Sequence, residues 1–338
     1  MRHWLALLAA LVLAACDSAG PRPALLDSRS PPGLAPRFLA PQGWAWGAIQ
    51  APGEPELRYG VTAPSGSARL AHVLILPDTD EPAEVWFETA ADLSRSGYVV
   101  WTLEWESFGG SGRRLPPYDM IHSDSAMAGP LAITALITQV IGPTPGRPLV
   151  LMASGDSAAA ALTALELGAP ADAVIFSAPD RVSAQSLKPW EHVAVRVGLA
   201  RLPSPDWRPW SRAASALQRP AGADAWRGQL IHNWRLANPD LRQSGVSLGW
   251  RAVQGEGRRP QGPQGPAPRL LLTDRAQSVG VIADCQDEQG CRRVLQPGLG
   301  SAPHLAVEDV RQAWLGEVIA FLDQQVPSPG GAGAPPIE

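Results

Sequence analysis

The sequence lacks several features that mark large classes of protein. Its 28 Lys and Arg stand against 32 Asp and Glu and form no basic run, so nothing indicates nucleic-acid binding. Only 3 cysteines are present, and the first apolar stretch is too short to span a membrane as a mature helix. Glycine (33) and proline (35) are abundant, which predicts long loops and a structureless tail. The length of 338 residues allows one large domain or two small ones.

The N-terminus carries the pattern of an export signal. "MRHWLALLAALVLAAC" has a basic start, an apolar centre and small residues before Cys16. Its end, "LAAC", resembles a bacterial lipoprotein lipobox, which implies that residues 1–16 are a signal peptide and that Cys16 becomes lipidated. We therefore expect a membrane-anchored protein of the bacterial cell envelope that faces the periplasm.

Export changes the expectation for the other two cysteines. Oxidising compartments favour disulfides, so Cys285 and Cys291 are predicted to pair and to close a short loop. The alternative is a pair of free, buried thiols.

Apolar runs of strand length alternate with helical patterns, which predicts an α/β fold with a mostly parallel central sheet and helices on both faces. Residues 180–265 break this alternation and are rich in Trp, so we expect a cap inserted over the carboxyl ends of the strands. The core would comprise 51–179 and 266–326, with a Pro/Ala/Gly-rich tether over 17–50 and a disordered tail over 327–338. Strands are predicted at 70–76, 98–105, 148–154, 171–178, 268–273 and 291–297.

Ser157 is the candidate nucleophile of the sequence. It stands between a predicted strand and an Ala/Leu-rich helix, which is the context of a nucleophile elbow, and Gly155 and Ala159 on either side are small. The N–H of Ala158 would then face a developing oxyanion. Ser247 in "GVSLG" matches the G-x-S-x-G pattern more closely but lacks the strand and the long helix, so we expect a loop residue of the cap.

A serine nucleophile requires a base, usually a histidine held by an acid. His304 follows the last predicted strand and precedes the final helix, which gives the chain order Ser, acid, His. No metal or organic cofactor is implied.

Longer segments resemble the lysophospholipase and monoacylglycerol lipase-like branch of the α/β-hydrolases. The resemblance runs over about residues 57–325 and includes "LPDTDEPAEVWFETAADLSRSGYVVWTLEWESFGGSGR", "HNWRLANPDLRQSGVSLGW" and "PGLGSAPHLAVED". It implies an α/β-hydrolase fold with Ser157 as nucleophile, His304 as base and the N–H of Thr79 as the second oxyanion donor. Three positions depart from the pattern: Asp78 replaces a glycine, Glu106 an arginine, and Leu305 the acid after the histidine.

The acid of the triad has three possible origins. Asp274 follows the predicted strand 268–273, although ungapped alignment places Gln277 in the family's position. Asp180, at the end of the preceding strand, is the second possibility, and the third is that no acid exists.

The sequence therefore predicts a serine hydrolase that cleaves carboxylic esters of lipid-like substrates, such as a lysophospholipid or a monoacylglycerol, through an acyl-enzyme on Ser157. The alternative is a catalytically weakened α/β-hydrolase lipoprotein that binds a lipid or a protein partner. Asp78, Glu106 and Gln277 motivate this alternative.

Overall fold

The computed structural model describes residues 20–51, 53–66, 71–114, 116–144, 146–179, 187–256, 267–274 and 290–325. Within these ranges the chain forms an eight-stranded sheet flanked by helices on both faces. The strands are β1 (Ala45–Gln50), β2 (Glu56–Thr62), β3 (His72–Leu76), β4 (Val99–Leu103), β5 (Leu149–Ser154), β6 (Ala173–Ser177), β7 (Arg269–Thr273) and β8 (Cys291–Leu295). The helices are α1 (Phe87–Arg95), α2 (Ala128–Leu136), α3 (Ser157–Glu166), α4 (Pro189–Arg196), α5 (Arg212–Leu217), α6 (Leu230–Ala237), α7 (Leu248–Glu256) and α8 (Glu308–Gln325).

The strands lie in the order β1-β2-β4-β3-β5-β6-β7-β8. The pairs from β4 to β8 are parallel, whereas β1 and β2 join the edge in antiparallel pairs. The predicted α/β class is confirmed, and each of the six predicted strands coincides with one of β3 to β8. Because parallel strands end at one edge, the loops after β3, β5 and β8 converge there.

The central strands are apolar on both sides because helices cover both faces of the sheet. Along β5, Val150 and Met152 enter one hydrophobic core, and Leu149, Leu151 and Ala153 enter the other. All residues of β5 and β6 are buried. This packing fixes the position at which β5 ends and the next turn begins.

The predicted tether over 17–50 is wrong for its described part. Residues 45–50 form the edge strand β1, and Phe38 is buried in the core beside Arg37. The N–H of Arg22 donates to the carbonyl of Arg113 at 2.7 Å. Leu25 and Trp44 are among the apolar side chains of this segment that pack against the core. The high Pro and Gly content of the segment therefore does not prevent it from being ordered by packing.

Residues 187–256 lie between β6 and β7 and contribute α4 to α7. Their side chains contact the loops at the carboxyl ends of the strands, since Gln243 Nε2 donates to the carbonyl of Ser107 at 2.8 Å. The predicted signal peptide with Cys16 and the C-terminal tail lie outside the described residues. Among the helices of the described ranges, none is long and apolar enough to cross a membrane.

Candidate functional site

The sharp turn between β5 and α3 is made by Gly155. Its φ is +53°, whereas Ser157 does not have a positive φ and opens α3. In a nucleophile elbow the nucleophile is the residue on the strained turn itself. The residues two before and two after Gly155 are Ala153 and Ser157, which satisfy the need for small neighbours. The predicted position of Ser157 on the elbow is therefore wrong by two residues, because β5 ends at Ser154.

Ser157 instead has a local structural contact. Its side chain is fully buried, and its hydroxyl donates to the carbonyl of Pro77 in the loop after β3. This hydrogen bond ties the start of α3 to that loop and directs the hydroxyl away from solvent.

The carboxylate of Asp78 occupies the position at which an oxyanion would bind. Asp78 Oδ1 accepts the N–H of Thr79 at 2.7 Å and the N–H of Asp156 at 2.9 Å. These two groups are the N–H of the β3 loop and the N–H of the residue after the turn, the usual pair of oxyanion donors. The predicted donor Ala158 instead donates to the carbonyl of Gly155 at 3.2 Å.

The same carboxylate fills the space that a side chain on the turn would need. A Cβ built on Gly155 would lie 2.0 Å from Asp78 Oδ2. Burial raises the pKa of Asp78 well above its ordinary value, and the nearby charges of Asp156, Glu81 and Asp80 add to this effect. The hydrogen bond from the Thr79 N–H opposes this increase in the pKa of Asp78 without cancelling it.

Side chains of the cap hold the Asp78 loop in place from outside. Gln243 Nε2 donates to the carbonyl of Thr79 at 3.3 Å, and Arg235 Nη2 donates to the carbonyl of Asp80 and to Gln243 Oε1. Together with the hydroxyl of Ser157, these donors bind the carbonyls on both sides of Asp78. A movement of the loop that takes the Asp78 carboxylate out of this position would break several of these hydrogen bonds.

His304 lies at the carboxyl edge, as expected, but in an apolar environment. It is 1% exposed and stacks on Trp86 with ring centroids 3.7 Å apart. Its Nε2 lies 3.5 Å from Glu81 Oε1, and within the described residues neither ring nitrogen has a hydrogen-bond partner. Burial lowers the pKa of His304 well below its ordinary value, and Arg311 lowers it further. The imidazole is therefore neutral. It also makes no hydrogen bond to Ser157.

Burial also raises the pKa of Glu81, to about 8, with Asp80 adding to the shift. Glu81 Oε2 accepts Trp86 Nε1–H at 3.1 Å and the N–H of Asp78 at 3.3 Å. A neutral Glu81 facing a neutral His304 avoids an ion pair in the core, whose desolvation would be costly.

The predicted acid does not hold the histidine. Asp274 directly follows β7, is exposed, and makes no hydrogen bond to His304 in the described structure. Asp180 and Gln277 lie outside the described residues. Cys291 begins β8, and Cys285 also lies outside those residues, so their pairing stays a prediction.

Ser247 lies in a hydrogen-bonded chain of its own. Its hydroxyl oxygen accepts the N–H of Trp250 at 3.0 Å, which caps the first turn of α7. It also lies 2.8 Å from His122 Nδ1, and His122 Nε2 lies 3.0 Å from Asp124 Oδ1. Ser247 is fully buried, so this Ser–His–Asp chain stabilises the cap rather than presenting a nucleophile to solvent.

The resembled pattern has D-W-R where this chain has Glu104-Trp105-Glu106. Both glutamates are buried. Glu104 and Glu84 bind the buried guanidinium of Arg58, with Glu104 Oε2 at 2.6 Å from its Nε. Glu104 also accepts the N–H of Ala83 at 2.7 Å. Glu106 pairs with Arg114. These acids hold the loops after β3 and β4 and do not enter the turn at Gly155.

A cavity of about 490 Å³ lies between α2, α3 and α7, next to the Asp78 loop. Thr79 and Asp156 line it at one end, and the aromatic side chains of Trp105, Phe108 and Trp250 line it elsewhere. Its volume is typical of small-molecule sites.

Comparisons with solved structures identify the architecture. A yeast monoglyceride lipase variant, solved with a substrate analogue, matches with TM-score 0.58 and 13% identity, covering 88% of this chain and 100% of the other. A carboxyl esterase from Bacillus coagulans, solved with glycerol, matches with TM-score 0.59 and 10% identity over 85% of this chain and 100% of its own. The fold is that of the α/β-hydrolases.

The neighbours also include a protein named as an epimerase. The bottromycin epimerase BotH matches this α/β-hydrolase fold with TM-score 0.52 and 15% identity, covering 83% of this chain and 99% of the other. No family model and no curated protein sequence matches the chain.

The sequence reasoning missed Gly155 and the position of Asp78. A signal for Gly155 was present: "ASGDS" reads small-x-Gly-x-small at the end of a strand, which places glycine on the turn. Asp78 departs from the resembled pattern, and this is visible in the sequence. Its contact with the N–H of Asp156 is not visible there, because the two residues belong to different loops, 78 positions apart.

Proposed function

We propose that this protein is a non-hydrolytic member of the α/β-hydrolase fold that binds a small ligand in the cavity beside the Asp78 loop. The observation that carries the proposal is the position of Asp78 Oδ1, which accepts both N–H groups that would otherwise stabilise an oxyanion. An acyl-transfer enzyme needs these donors at the moment when negative charge develops.

Two further observations support the loss of hydrolysis. The turn residue is Gly155, which has no side chain that could attack a carbonyl, and the hydroxyl of Ser157 donates a hydrogen bond to the carbonyl of Pro77. His304 is buried against Trp86 without a hydrogen bond to an acid in the described structure, although an orienting acid is needed for an efficient triad. An epimerase among the structural neighbours agrees with the general rule that fold alone does not fix function.

Ester hydrolysis of a lipid-like substrate through Ser157 is the second candidate. The neighbours named as a monoglyceride lipase and a carboxyl esterase favour it, since their folds match this chain over 85–88% of its length. It would require the loop after β3 to release the hydroxyl of Ser157 and to move Asp78.

A fluorophosphonate probe separates the two candidates. We expect no covalent labelling of the folded protein and no turnover of p-nitrophenyl esters, with an active serine esterase labelled in parallel as the positive control. Labelling that disappears in Ser157→Ala would overturn the proposal in favour of the acyl-enzyme. Labelling that persists in Ser157→Ala but disappears in Ser247→Ala would also overturn it and would assign the chemistry to the His122–Ser247 pair.

We further propose that the protein is anchored to a membrane through a lipidated Cys16 and faces the periplasm. The lipobox-like "LAAC" supports this location. The cap helix α4 is compatible with a nearby bilayer, because Trp190 and Val193 are exposed on it and Val197 is exposed directly after it. Metabolic labelling with an alkyne palmitate analogue should mark the wild type and not Cys16→Ser, and the variant should leave the membrane fraction. Equal membrane association of both would contradict the anchor.

A further inference from the structure

The cap helix α4 has an apolar outer side. Trp190 and Val193 on the helix and Val197 directly after it are spaced by three and four residues, which places them on one side. They are 52%, 60% and 66% exposed, respectively. The opposite side of α4 packs on α7 through the buried Glu191, which pairs with Arg251 at 2.8 Å. The apolar side therefore points away from the body of the protein.

The apolar surface continues in the segment that follows α4, where Leu199 and Leu202 are also exposed. We call these side chains together the cap face: Trp190, Val193, Val197, Leu199 and Leu202. Exposed apolar side chains are common singly, but a group of them on one side of one element marks an interaction surface.

Cations surround the cap face. Residues 187–220 contain six Lys and Arg but two acids, whereas the whole chain has a net charge of −4. All six cations are exposed: Lys188, Arg196, Arg201, Arg208, Arg212 and Arg219. Of the acids, Glu191 is buried and Asp206 is exposed, and Asp124 from outside the segment pairs with Arg201 at 3.4 Å. A Trp-containing apolar surface with a cationic rim complements a bilayer that carries anionic headgroups.

The N-terminal end of the described chain lies at the edge of the sheet that the cap covers. The carbonyl of Gly20 accepts the hydroxyl of Tyr118, in the loop after β4, at 2.6 Å. The next residue of that loop, Asp119, accepts the N–H of Trp210 from the cap at 2.6 Å. Cys16 is four positions before Gly20, so a lipid on Cys16 holds the bilayer within about 14 Å of this edge.

We propose that the cap face docks on the surface of a bilayer that contains anionic lipids. Trp190 and the aliphatic side chains lie at the level of the headgroups, and Lys188 and Arg196 contact lipid phosphates. The inference rests on the proposed Cys16 anchor, which keeps the protein at the bilayer, and it adds an orientation in which the cap faces the membrane.

Fluorescence quenching by a nitroxide-labelled lipid measures which side of the protein contacts the bilayer. The full chain, exported and purified as the lipoprotein, is placed in phosphatidylcholine vesicles that contain phosphatidylglycerol, with an NBD label at Val193→Cys. The matched control is the same label at Thr144→Cys, an exposed position shortly before β5 at the opposite edge of the sheet. Wild type taken through the same labelling gives the background from its own cysteines.

The nitroxide should quench the label at position 193 at least about twofold more strongly than the label at position 144, because only the cap face reaches the headgroups. Similar quenching at the two positions would overturn the proposal and leave the cap face for a protein partner.

Two double variants in the Val193→Cys background test the role of charge. Lys188→Gln with Arg196→Gln should lower the quenching about twofold or more, because the cap loses two contacts to lipid phosphates. Arg95→Gln with Arg147→Gln removes two exposed cations at the opposite edge of the sheet and should leave the quenching unchanged. An equal decrease in both, or undiminished quenching in vesicles of phosphatidylcholine alone, would overturn the requirement for anionic lipid.

Flotation of the vesicles separates this inference from the proposed anchor. If wild type and Cys16→Ser float equally and position 193 is quenched, the anchor is wrong and the cap face docks without it. If only wild type floats and both labels are quenched alike, the anchor stands and the docking face is wrong. A chain that floats in neither form overturns both.

Discussion

Asp78 Oδ2 lies so close to Gly155 that a Cβ on the glycine would come within 2.0 Å of it. Gly155 keeps the turn free of a side chain, and Asp78 fills the space that results. The two positions are thus coupled, and neither can acquire the residue of an active hydrolase without affecting the other.

A double-mutant cycle measures this coupling. Gly155→Ser alone should lower the free energy of unfolding by at least about 1–2 kcal/mol, because a non-glycine residue would take a positive φ and its Cβ would clash with Asp78. In an Asp78→Gly background the clash disappears, so the same substitution should cost less. Urea unfolding of the four proteins gives the coupling free energy. Strict additivity would show that Asp78 does not fill the space at Gly155.

The pH dependence of stability reports on Glu81. Its pKa is raised to about 8 by burial, so between the ordinary value of 4.5 and about 8 the folded protein holds a proton that the unfolded chain has released. The stability that this group contributes is complete below pH 4.5 and is lost as pH rises toward 8. The slope should reach at most about −1.4 kcal/mol per pH unit.

Glu81→Gln should remove that part of the slope, because the amide does not titrate. Denaturant unfolding of wild type and variant at pH 5 and pH 8 checks this, and the variant should lose less stability between the two values. A steeper loss in the variant would contradict the assignment. His304 acts in the opposite direction and at lower pH, since its lowered pKa costs stability as pH falls below 6.5.

His304 itself should tolerate an apolar replacement. Since neither of its buried nitrogens has a hydrogen-bond partner in the described structure, His304→Phe should keep the stacking on Trp86 and change the unfolding free energy by between zero and about +1 kcal/mol. The matched control is His232→Phe, because that buried histidine lies 3.0 Å from the hydroxyl of Ser215 and should lose stability. A loss above about 2 kcal/mol in His304→Phe would show that its nitrogens make essential contacts.

Glu104 is expected to be essential for stability, although it lies outside the turn. Glu104→Ala leaves the guanidinium of Arg58 with one carboxylate in a fully buried site and frees two backbone N–H groups, so it should cost about 3–5 kcal/mol. Glu308→Ala removes a half-exposed partner of Arg227 and should cost less than about 1 kcal/mol. Thermal unfolding compares the two, and similar losses would contradict a buried network at Arg58.

The alternation of apolar strands and amphipathic helices was sufficient to predict the α/β class and six strands, because burial on both faces imposes long apolar runs on the central strands. The edge strands β1 and β2 were missed. They lie at the antiparallel edge of the sheet. In β1 Trp46 stands between the small residues Ala45 and Gly47, and the Pro-rich segment before it indicated a tether. In β2 the charged Arg58 interrupts the apolar pattern between Leu57 and Tyr59.

The sequence by itself determined that a strand, a sharp turn and a helix surround Ser157, and that His304 follows the last strand at the same edge of the sheet. Only the tertiary structure decided which residue makes the turn, since the end of β5 depends on its pairing with β6 up to Ser177. It also decided what fills the oxyanion position. Asp78 and the N–H of Asp156 meet because β3 and β5 are neighbours in the sheet, and no local pattern encodes that distance.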